Sequence, residues 1–193
     1  MFLKIISVSL DLIALNGKRE FFVKYSPLAV ELLTGYLKKV DPKVDIKTFY
    51  TALSSIDEIV AQIRDNPPKV IGISAPVDSQ SELLSLLDKI QALQLTGTKI
   101  VLGGIVPSVA YESLLQRYPN IYIITGEGEV ALQRFMEWVE QKNELSNIPN
   151  LVLVENGSLK RTAAKEPISM ETATYQPSLE ITKKMLEKYG SEG

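Results

Sequence analysis

Residues 69–108 read KVIGISAPVDSQSELLSLLDKIQALQLTGTKIVLGGIVPS and contain one complete strand–helix–strand unit. Val70 to Ser74 and Lys99 to Leu102 are short apolar runs, which is typical of strands that are buried on both faces of a sheet. Ser81 to Leu95, which lies between them, carries leucines at helical spacing. Two strands separated by a helix of this length predict a parallel pair in one sheet.

The same alternation extends in both directions from this unit. Further strands are predicted at Phe2 to Leu10, Val44 to Tyr50 and Ile121 to Thr125. The other helices are predicted from Ser26-Pro27, with Ser26 as the N-cap, and over Ser55 to Arg64, Pro107 to Arg117 and Glu129 to Gln141. The sequence therefore predicts an α/β fold, Rossmann-like or flavodoxin-like, with a parallel five-stranded sheet and helices on both faces.

The pattern changes after residue 146. Asn156-Gly157 separates the apolar runs Leu151 to Val154 and Leu159 to Thr162, which predicts a β-hairpin with a type I′ turn. A polar stretch without a clear period follows, and Ser178 to Tyr189 is amphipathic at helical spacing. The predicted organisation is a Rossmann-like domain at 1–146, a hairpin extension at 147–163, and a linker with a helix at 164–193.

Composition excludes several kinds of chemistry. The 193 residues have a formal net charge of −2 and include no cysteine and no histidine. The near-neutral charge lacks the basic surface expected of proteins that bind nucleic acids or membrane surfaces. Without cysteine or histidine, the chain cannot form a disulfide, a cysteine-ligated cluster, a histidine metal site or a Ser-His-Asp triad. No apolar run reaches the length of a membrane span, so we expect a cytoplasmic location.

Ligands of open parallel sheets bind at the carboxyl ends of the strands, so candidate binding residues are those that follow each predicted strand. Glycine in these loops allows a flat or bulky ligand to approach the backbone closely. The candidates are Asn16 and Gly17; Ser74, Ala75 and Pro76; Gly103, Gly104, Ile105, Val106 and Pro107; and Gly126, Glu127, Gly128 and Glu129. We assign none of them a catalytic or metal-binding role.

These residues also have purely structural interpretations. A glycine can simply make a tight turn, and Ser74 can cap the segment that follows it. Glu127 and Glu129 could form a paired-carboxylate site, although Glu129 also suits the first turn of a helix, which we favour. The sequence has neither G-x-G-x-x-G after the first strand nor a P-loop motif, so a common dinucleotide or ATP site is not expected.

Taken together, the loops resemble the N-terminal cobalamin-binding domain of B12-dependent radical S-adenosylmethionine enzymes. The resemblance rests on KVIGISAPV at 69–77, KIVLGGIVPS at 99–108 and ITGEGE at 124–129, and it extends to LNGKRE at 15–20, SPLA at 26–29 and IPNL at 148–151. The signature D-x-H-x-x-G, S-x-L, GG offers a second comparison. Ser74-Ala75-Pro76 takes the place of S-x-L, and 26 residues separate it from Gly103-Gly104, as the signature requires. Asp11 lies where the first element would begin, but Ile13 replaces its histidine.

This resemblance implies a cobalamin-binding module without catalytic residues of its own. The nucleotide tail would lie against Ser74, Gly103, Gly104 and the 126–129 loop, with the corrin ring over the sheet edge, and a side chain at Gly104 would collide with the ligand. A 4Fe-4S cluster, S-adenosylmethionine and a small-molecule substrate would belong to a radical SAM barrel absent from this chain. We therefore expect a truncated protein that positions the corrin for methyl transfer or other radical chemistry.

Two other functions remain open at this point. One is a flavodoxin-like regulatory or interaction domain without a cofactor. The other is a stand-alone Rossmann-like sugar-nucleotide enzyme, which the Glu127/Glu129 pair supports. The final helix, Ser178 to Tyr189, is expected to expose an apolar face that packs against the absent barrel or forms a homodimer.

Overall fold

The computed structural model describes residues 8–16, 27–163 and 175–189. Within these ranges, seven strands form one sheet: β1 Leu10–Ala14, β2 Ile46–Tyr50, β3 Val70–Ser74, β4 Lys99–Gly103, β5 Tyr122–Ile124, β6 Leu151–Glu155 and β7 Ser158–Arg161. The same ranges contain the α-helices α1 Leu28–Val40, α2 Ile56–Asp65, α3 Gln80–Ala92, α4 Ile105–Arg117, α5 Glu129–Val139 and α6 Glu180–Tyr189. No helix in the described part of the chain is long and apolar enough to cross a membrane.

The order of the strands across the sheet is β2-β1-β3-β4-β5-β6-β7. The first five strands in this order are parallel, and β6 and β7 are antiparallel to their neighbours. The predicted α/β fold with helices on both faces is therefore confirmed. The predicted five parallel strands are extended to a mixed sheet, because the hairpin of β6 and β7 pairs with the free edge of β5.

The first strand lies further along the chain than the sequence predicts. Residues 2–7 of the predicted strand and its predicted helix cap Ser26 lie outside the described residues, and Pro27 is the residue that precedes α1. β1 begins at Leu10, where the prediction had it end, and it contains Asp11. Leu10 pairs with both Ile46 and Val70, so β1 starts level with its two neighbours. Asp11 is therefore a sheet residue and does not begin a binding loop.

Alternation along the strands divides the core into two layers. Leu10, Leu12 and Ala14 of β1 pack on one face with residues of α1, α5 and α6. Ile13 packs on the opposite face with residues of α2, α3 and α4. We call the first of these the α1/α5 face. It is the face that carries the candidate site.

Buried Asp11 makes the stability of the fold depend on pH. Its side chain is 4% exposed, and burial raises the pKa of this carboxyl to about 6, with Lys47 lowering it and Asp45 raising it further. An unfolded aspartate has a pKa of about 3.9, so the folded state binds the proton more tightly. This contribution to stability is full below about pH 4 and is lost as the pH rises through about 6.

We expect Asp11→Asn to raise the free energy of unfolding at pH 8 by about 3 kcal/mol and to change it little at pH 4. Urea unfolding at a series of pH values measures this difference. Asp57→Asn is the matched control, because Asp57 is an exposed aspartate of α2 whose side chain pairs with Lys89 at the surface. Equal gains at both pH values for Asp11→Asn would contradict the titration.

The C-terminal helix α6 packs against this chain's own sheet. Ile181 and Met185 are buried in the core layer of the α1/α5 face. The expectation that the final helix exposes its apolar face is therefore wrong for these two residues, whereas Leu179 and Leu186 are exposed. The helix is part of the domain because its hydrophobic stripe covers apolar surface that α1 and β2 leave open.

A buried carboxylate fixes the start of this helix. Glu31 of α1 is 1% exposed, and its two oxygens accept hydrogen bonds from the Thr182 backbone N–H at 2.8 Å and the Thr182 hydroxyl at 2.9 Å. The first N–H groups of a helix have no partner within the helix, so a carboxylate there acts as a cap. Lys38 of α1 also pairs with Glu180. Residues 175–189 are therefore held on α1, and we call them the C-terminal arm.

Candidate functional site

A cleft of about 270 Å³ opens at the carboxyl edge of the sheet, between the α1/α5 face and the two helices that cover it. Its floor comes from the strands: Leu12, Gly72, Ile73, Ser74, Val101, Leu102, Gly103 and Ile124. Its walls come from α1, through Ala29, Val30, Leu32 and Leu33, and from α5, through Glu129 and Leu132. The loops after β4 and β5 complete the lining with Gly104, Gly126, Glu127 and Gly128. The lining is mainly apolar, which is typical of sites for small organic ligands.

Small residues in adjacent strands leave this space open. Ala14, Ser74 and Gly103 align across β1, β3 and β4 at the last position of each strand. Gly72 occupies the preceding position on the same face of β3, between Leu12 and Val101. Helices that pack on a sheet normally contact large side chains at such positions. Here α1 and α5 are separated from the end of the sheet instead. The cleft lies beside the β1/β3 boundary, where strand order reverses and where open α/β sheets bind ligands.

Gly103 is the glycine whose missing side chain keeps the cleft open. A Cβ built at Gly103 would have no atom within 4 Å, and its φ is outside the left-handed range. A side chain could therefore be placed there without backbone strain, and it would project into the cleft. Gly72 differs, because a Cβ there would lie 2.7 Å from Leu12 Cδ2. Of the predicted binding glycines, Gly103 fits close approach by a ligand best.

Gly104 lines the cleft and also has a structural role, and its contact with a ligand stays a prediction. It has a φ of +94° and immediately precedes α4. A Cβ at this position would lie 2.6 Å from the carbonyl oxygen of Ala75 and 3.0 Å from its nitrogen. A side chain at Gly104 would therefore collide with the backbone of Ala75, the residue that follows β3. Tight packing of the two adjacent loops requires this glycine whether or not a ligand is bound.

At the end of β3, Ser74 offers a polar group to the cleft, whereas Ala75 and Pro76 have structural roles. The Ser74 hydroxyl donates to no residue in the described ranges and caps no helix there, so the structure does not support its capping role. Ala75 is fully buried, and its backbone bonds to Gly103 at 3.0 Å and to Val106 at 3.2 Å. Pro76 begins the short 3₁₀ turn Val77–Ser79. Ser74 is therefore the residue of this loop that can bond to a ligand.

The predicted residues at the start of α4 face in different directions. Val106 and Pro107 are buried against the protein core, whereas Ile105 is 56% exposed. Val109, one turn further on, is 80% exposed. Val77 from the neighbouring loop is also exposed. These three residues, Val77, Ile105 and Val109, form what we call the apolar rim. Val77 and Val109 were not predicted, because an exposed valine has no distinctive sequence signal.

The loop after β5 contributes residues to the wall of the cleft and to the exposed edge beside it. Gly126 has a φ of +102°, which fits the turn, and Gly128 lies against α1, since a Cβ there would be 3.1 Å from Leu33 Cδ2. Glu127 is exposed. Glu129 lies in the first turn of α5, as favoured from the sequence, and accepts a 2.7 Å hydrogen bond from the Tyr175 hydroxyl. The described residues contain no cluster of acidic side chains suited to a metal ion.

Asn16 lies at the opposite end of the edge, and Gly17 is outside the described residues. The Tyr50 hydroxyl donates to Asn16 Oδ1 at 2.7 Å, and the Asn16 backbone N–H donates to Thr51 Oγ1 at 2.8 Å. These bonds attach the beginning of the loop after β1 to the end of β2. Asn16 is not among the residues that line the cleft.

The chemistry available in this arrangement is that of binding. The cleft offers apolar surface, one free hydroxyl at Ser74 and carboxylates at its mouth. The paired-carboxylate alternative has no support, because Glu129 is already hydrogen-bonded to Tyr175 and Glu127 is exposed. Leu12, Gly72, Val101 and the α1 residues of the wall were missed by sequence reasoning. Alternation along VIGIS and KIVLG would have identified the floor residues, because Gly72 and Ser74 share one face.

Known proteins resemble this chain in both sequence and fold. A model of the family described as "B12 binding domain" matches residues 18–136. The match covers more than half of the chain, so the chain belongs to the B12-binding domain family. The predicted family is confirmed, and the regulatory-domain and sugar-nucleotide alternatives are not favoured.

A curated relative is 4'-phospho-dehydrooxetanocin synthase of Priestia megaterium, which is 26% identical over 159 residues. That match covers 80% of this chain and 21% of the relative. The structure of the cobalamin-dependent S-adenosylmethionine radical enzyme OxsB, with aqua-cobalamin and S-adenosylmethionine bound, matches with a TM-score of 0.84 and 22% identity over 94% of this chain.

The radical S-adenosylmethionine methyltransferase TsrM from Kitasatospora setae, with cobalamin and a 4Fe-4S cluster bound, has a TM-score of 0.67 and 17% identity. The match to TsrM covers 88% of this chain, and the chain spans 26% of OxsB and 31% of TsrM. At these identities the solved structures support the fold. The chain therefore spans less than a third of each of these relatives.

Proposed function

We propose that this member of the B12-binding domain family binds cobalamin, with the nucleotide tail in the cleft and the corrin ring over the carboxyl edge of the sheet. The observation that carries the proposal is the open space above Gly103, where an added Cβ would meet no atom within 4 Å. This space lies in an apolar cleft at the strand-order reversal of the sheet. A flat heteroaromatic base fits such a cleft better than a charged or strongly hydrated group.

The described residues fit the two parts of the cofactor differently. Gly103, Gly72 and Leu33 offer backbone and apolar surface to the base of the tail. Ser74 offers a hydroxyl to a polar atom of the tail. The apolar rim offers exposed hydrophobic surface at the edge, where the flat corrin ring would cover it.

The chain's contribution to the reaction is to bind and orient. When bound, cobalamin supplies the cobalt chemistry of methyl transfer or related radical reactions. This chain has no histidine, so none of its side chains provides an imidazole to the cobalt. The carboxylates of Glu127 and Glu129 lie at the mouth of the cleft, where they can hydrogen-bond to amide groups.

We further propose that the domain works in cis with a radical S-adenosylmethionine barrel that holds the cluster, S-adenosylmethionine and the substrate. The support is that OxsB and TsrM are radical enzymes and that their matches to this chain cover 26% and 31% of their lengths. The absence of cysteine from this chain is consistent with a cluster held elsewhere, because such clusters need thiolate ligands.

Titration with hydroxocobalamin, followed by absorbance and isothermal calorimetry, tests the proposal. We expect saturable one-to-one binding. The corrinoid, detected by its visible absorbance, should co-elute with the protein on gel filtration. The same titration with cobinamide, which lacks the nucleotide tail, should give weaker binding because the cleft stays empty. No binding of cobalamin to this chain or to a longer protein that includes it would reject the function.

A further inference from the structure

The C-terminal arm reaches the wall of the cleft through Tyr175. Its hydroxyl donates to Oε1 of Glu129 on α5 at 2.7 Å. Its ring contacts the ring of Tyr36 on α1 edge-on, with centroids 5.3 Å apart and an interplanar angle of 76°. Tyr175 therefore touches both helices that cover the cleft, although it is not among the cleft-lining residues.

The same two helices are joined directly beneath this contact. The Tyr36 hydroxyl donates to Gln133 Oε1 of α5 at 2.7 Å, and Gln133 Nε2 donates to Glu137 Oε1 at 2.9 Å. Tyr36 thus contacts both Gln133 of α5 and Tyr175 of the arm. These contacts link the arm, α1 and α5, and the bond to Glu137 fixes the Gln133 side chain within α5.

The arm is anchored next to Tyr175, so the tyrosine is presented in a defined position. The Ser178 backbone N–H donates to the Glu31 carbonyl at 3.0 Å. Glu31 also caps α6 through Thr182. The Gln176 backbone passes directly over Gly35 of α1. A side chain held on an anchored segment loses less conformational entropy when it forms a contact.

We propose that Tyr175 is a positioning residue for the cofactor tail, which acts by holding the Glu129 carboxylate and the α1–α5 separation in the arrangement that the tail requires. The inference rests on the proposed function. Glu129 lines the cleft, so its charge would lie beside a tail that combines an apolar base with a negative phosphate. The Tyr175 O–H supplies the donor that this carboxylate needs. Burial, followed by the bond to Glu129, raises the pKa of Tyr175, so the phenol remains a donor at neutral pH.

The test compares corrinoids with and without the tail. We expect Tyr175→Phe, which keeps the ring but removes the donor, to weaken cobalamin binding about tenfold and to leave cobinamide binding unchanged. In a Glu129→Ala background the same substitution should have no further effect, because the acceptor is already gone. Affinities come from calorimetric titration of all four proteins with both ligands.

Tyr189→Phe is the matched control. It removes another hydrogen bond between an arm tyrosine and the domain, the 3.0 Å bond to the Ala52 carbonyl just after β2, and neither residue lines the cleft. We expect it to leave both affinities unchanged. Equal weakening by Tyr189→Phe, equal weakening toward cobinamide, or additivity with Glu129→Ala would overturn the assignment. If the wild-type protein binds cobalamin and Tyr175→Phe binds it equally well, this inference fails while the proposed function stands. If neither the wild-type chain nor a longer protein that includes it binds cobalamin, both fail.

Discussion

Substitution of Gly103 by leucine is expected to weaken cobalamin binding about a hundredfold without weakening the fold. The position faces the cleft, and an added Cβ would meet no atom within 4 Å. The leucine side chain would occupy space that the proposed tail needs, and overpacking of this kind costs about 1–3 kcal/mol, where each 1.4 kcal/mol is tenfold in affinity. In the free protein the same side chain would cover apolar surface, so the free energy of unfolding should stay the same or rise slightly.

Lower cobalamin affinity together with an undiminished free energy of unfolding would show that the leucine blocks the binding site directly. Titration with hydroxocobalamin and urea unfolding of the same samples measure the two quantities. Gly103→Ala serves as the graded control, with a smaller loss of affinity because it adds one carbon. Gly104→Val is expected to behave in the opposite manner, because its side chain would strike the Ala75 backbone and destabilise the protein with or without ligand. Unchanged cobalamin affinity in Gly103→Leu would remove the cleft from the site.

Continuous apolar runs were the most dependable signal for the fold. The prediction for VIGIS at Val70 to Ser74 matches β3 at both ends, because Pro67-Pro68 precedes the run and Pro76 follows it. The first strand lacked such boundaries. Both FLKIISVSL and LDLIA are apolar, and pairing of Leu10 with Ile46 and Val70 determines where β1 begins. That information is held by the partner strands, so a local pattern could not supply it.

In the candidate site, too, the local sequence does not determine the role of single residues. Neighbouring glycines 103 and 104 look equivalent in sequence, yet strand alternation directs one toward the cleft and the φ of +94° fixes the other in a turn. Only the spatial arrangement distinguishes a glycine that faces the cleft from one that a turn requires. Tyr175 is even harder to predict, because it lies 46 positions after Glu129 in the sequence and no motif connects the two residues.

Substitution of Gly35 by alanine is expected to release the C-terminal arm and to lower the free energy of unfolding by about 2 kcal/mol. Gly35 lies inside α1, where alanine ordinarily stabilises a helix by about 1 kcal/mol relative to glycine. The added Cβ would clash with the carbonyl oxygen of Gln176, so the arm backbone must move away. Movement of the arm exposes Ile181 and Met185, and burial of each such side chain is worth about 1.5–3 kcal/mol.

The sign of the change in the free energy of unfolding distinguishes an arm that packs on α1 from one that does not. If the arm were independent of α1, Gly35→Ala would stabilise the protein through helix propensity alone. Ser85→Ala, at an exposed position in α3, is the control for that propensity effect and should be neutral or slightly stabilising. Urea unfolding measures the stabilities, and limited proteolysis should cut the arm faster only in Gly35→Ala. Since the arm carries Tyr175 to the cleft wall, release by Gly35→Ala should also weaken cobalamin binding at least as much as Tyr175→Phe does. A Gly35→Ala protein that is more stable than wild type would mean that the arm does not pack on α1. It would also contradict the proposal that the arm, through Tyr175, affects binding in the cleft.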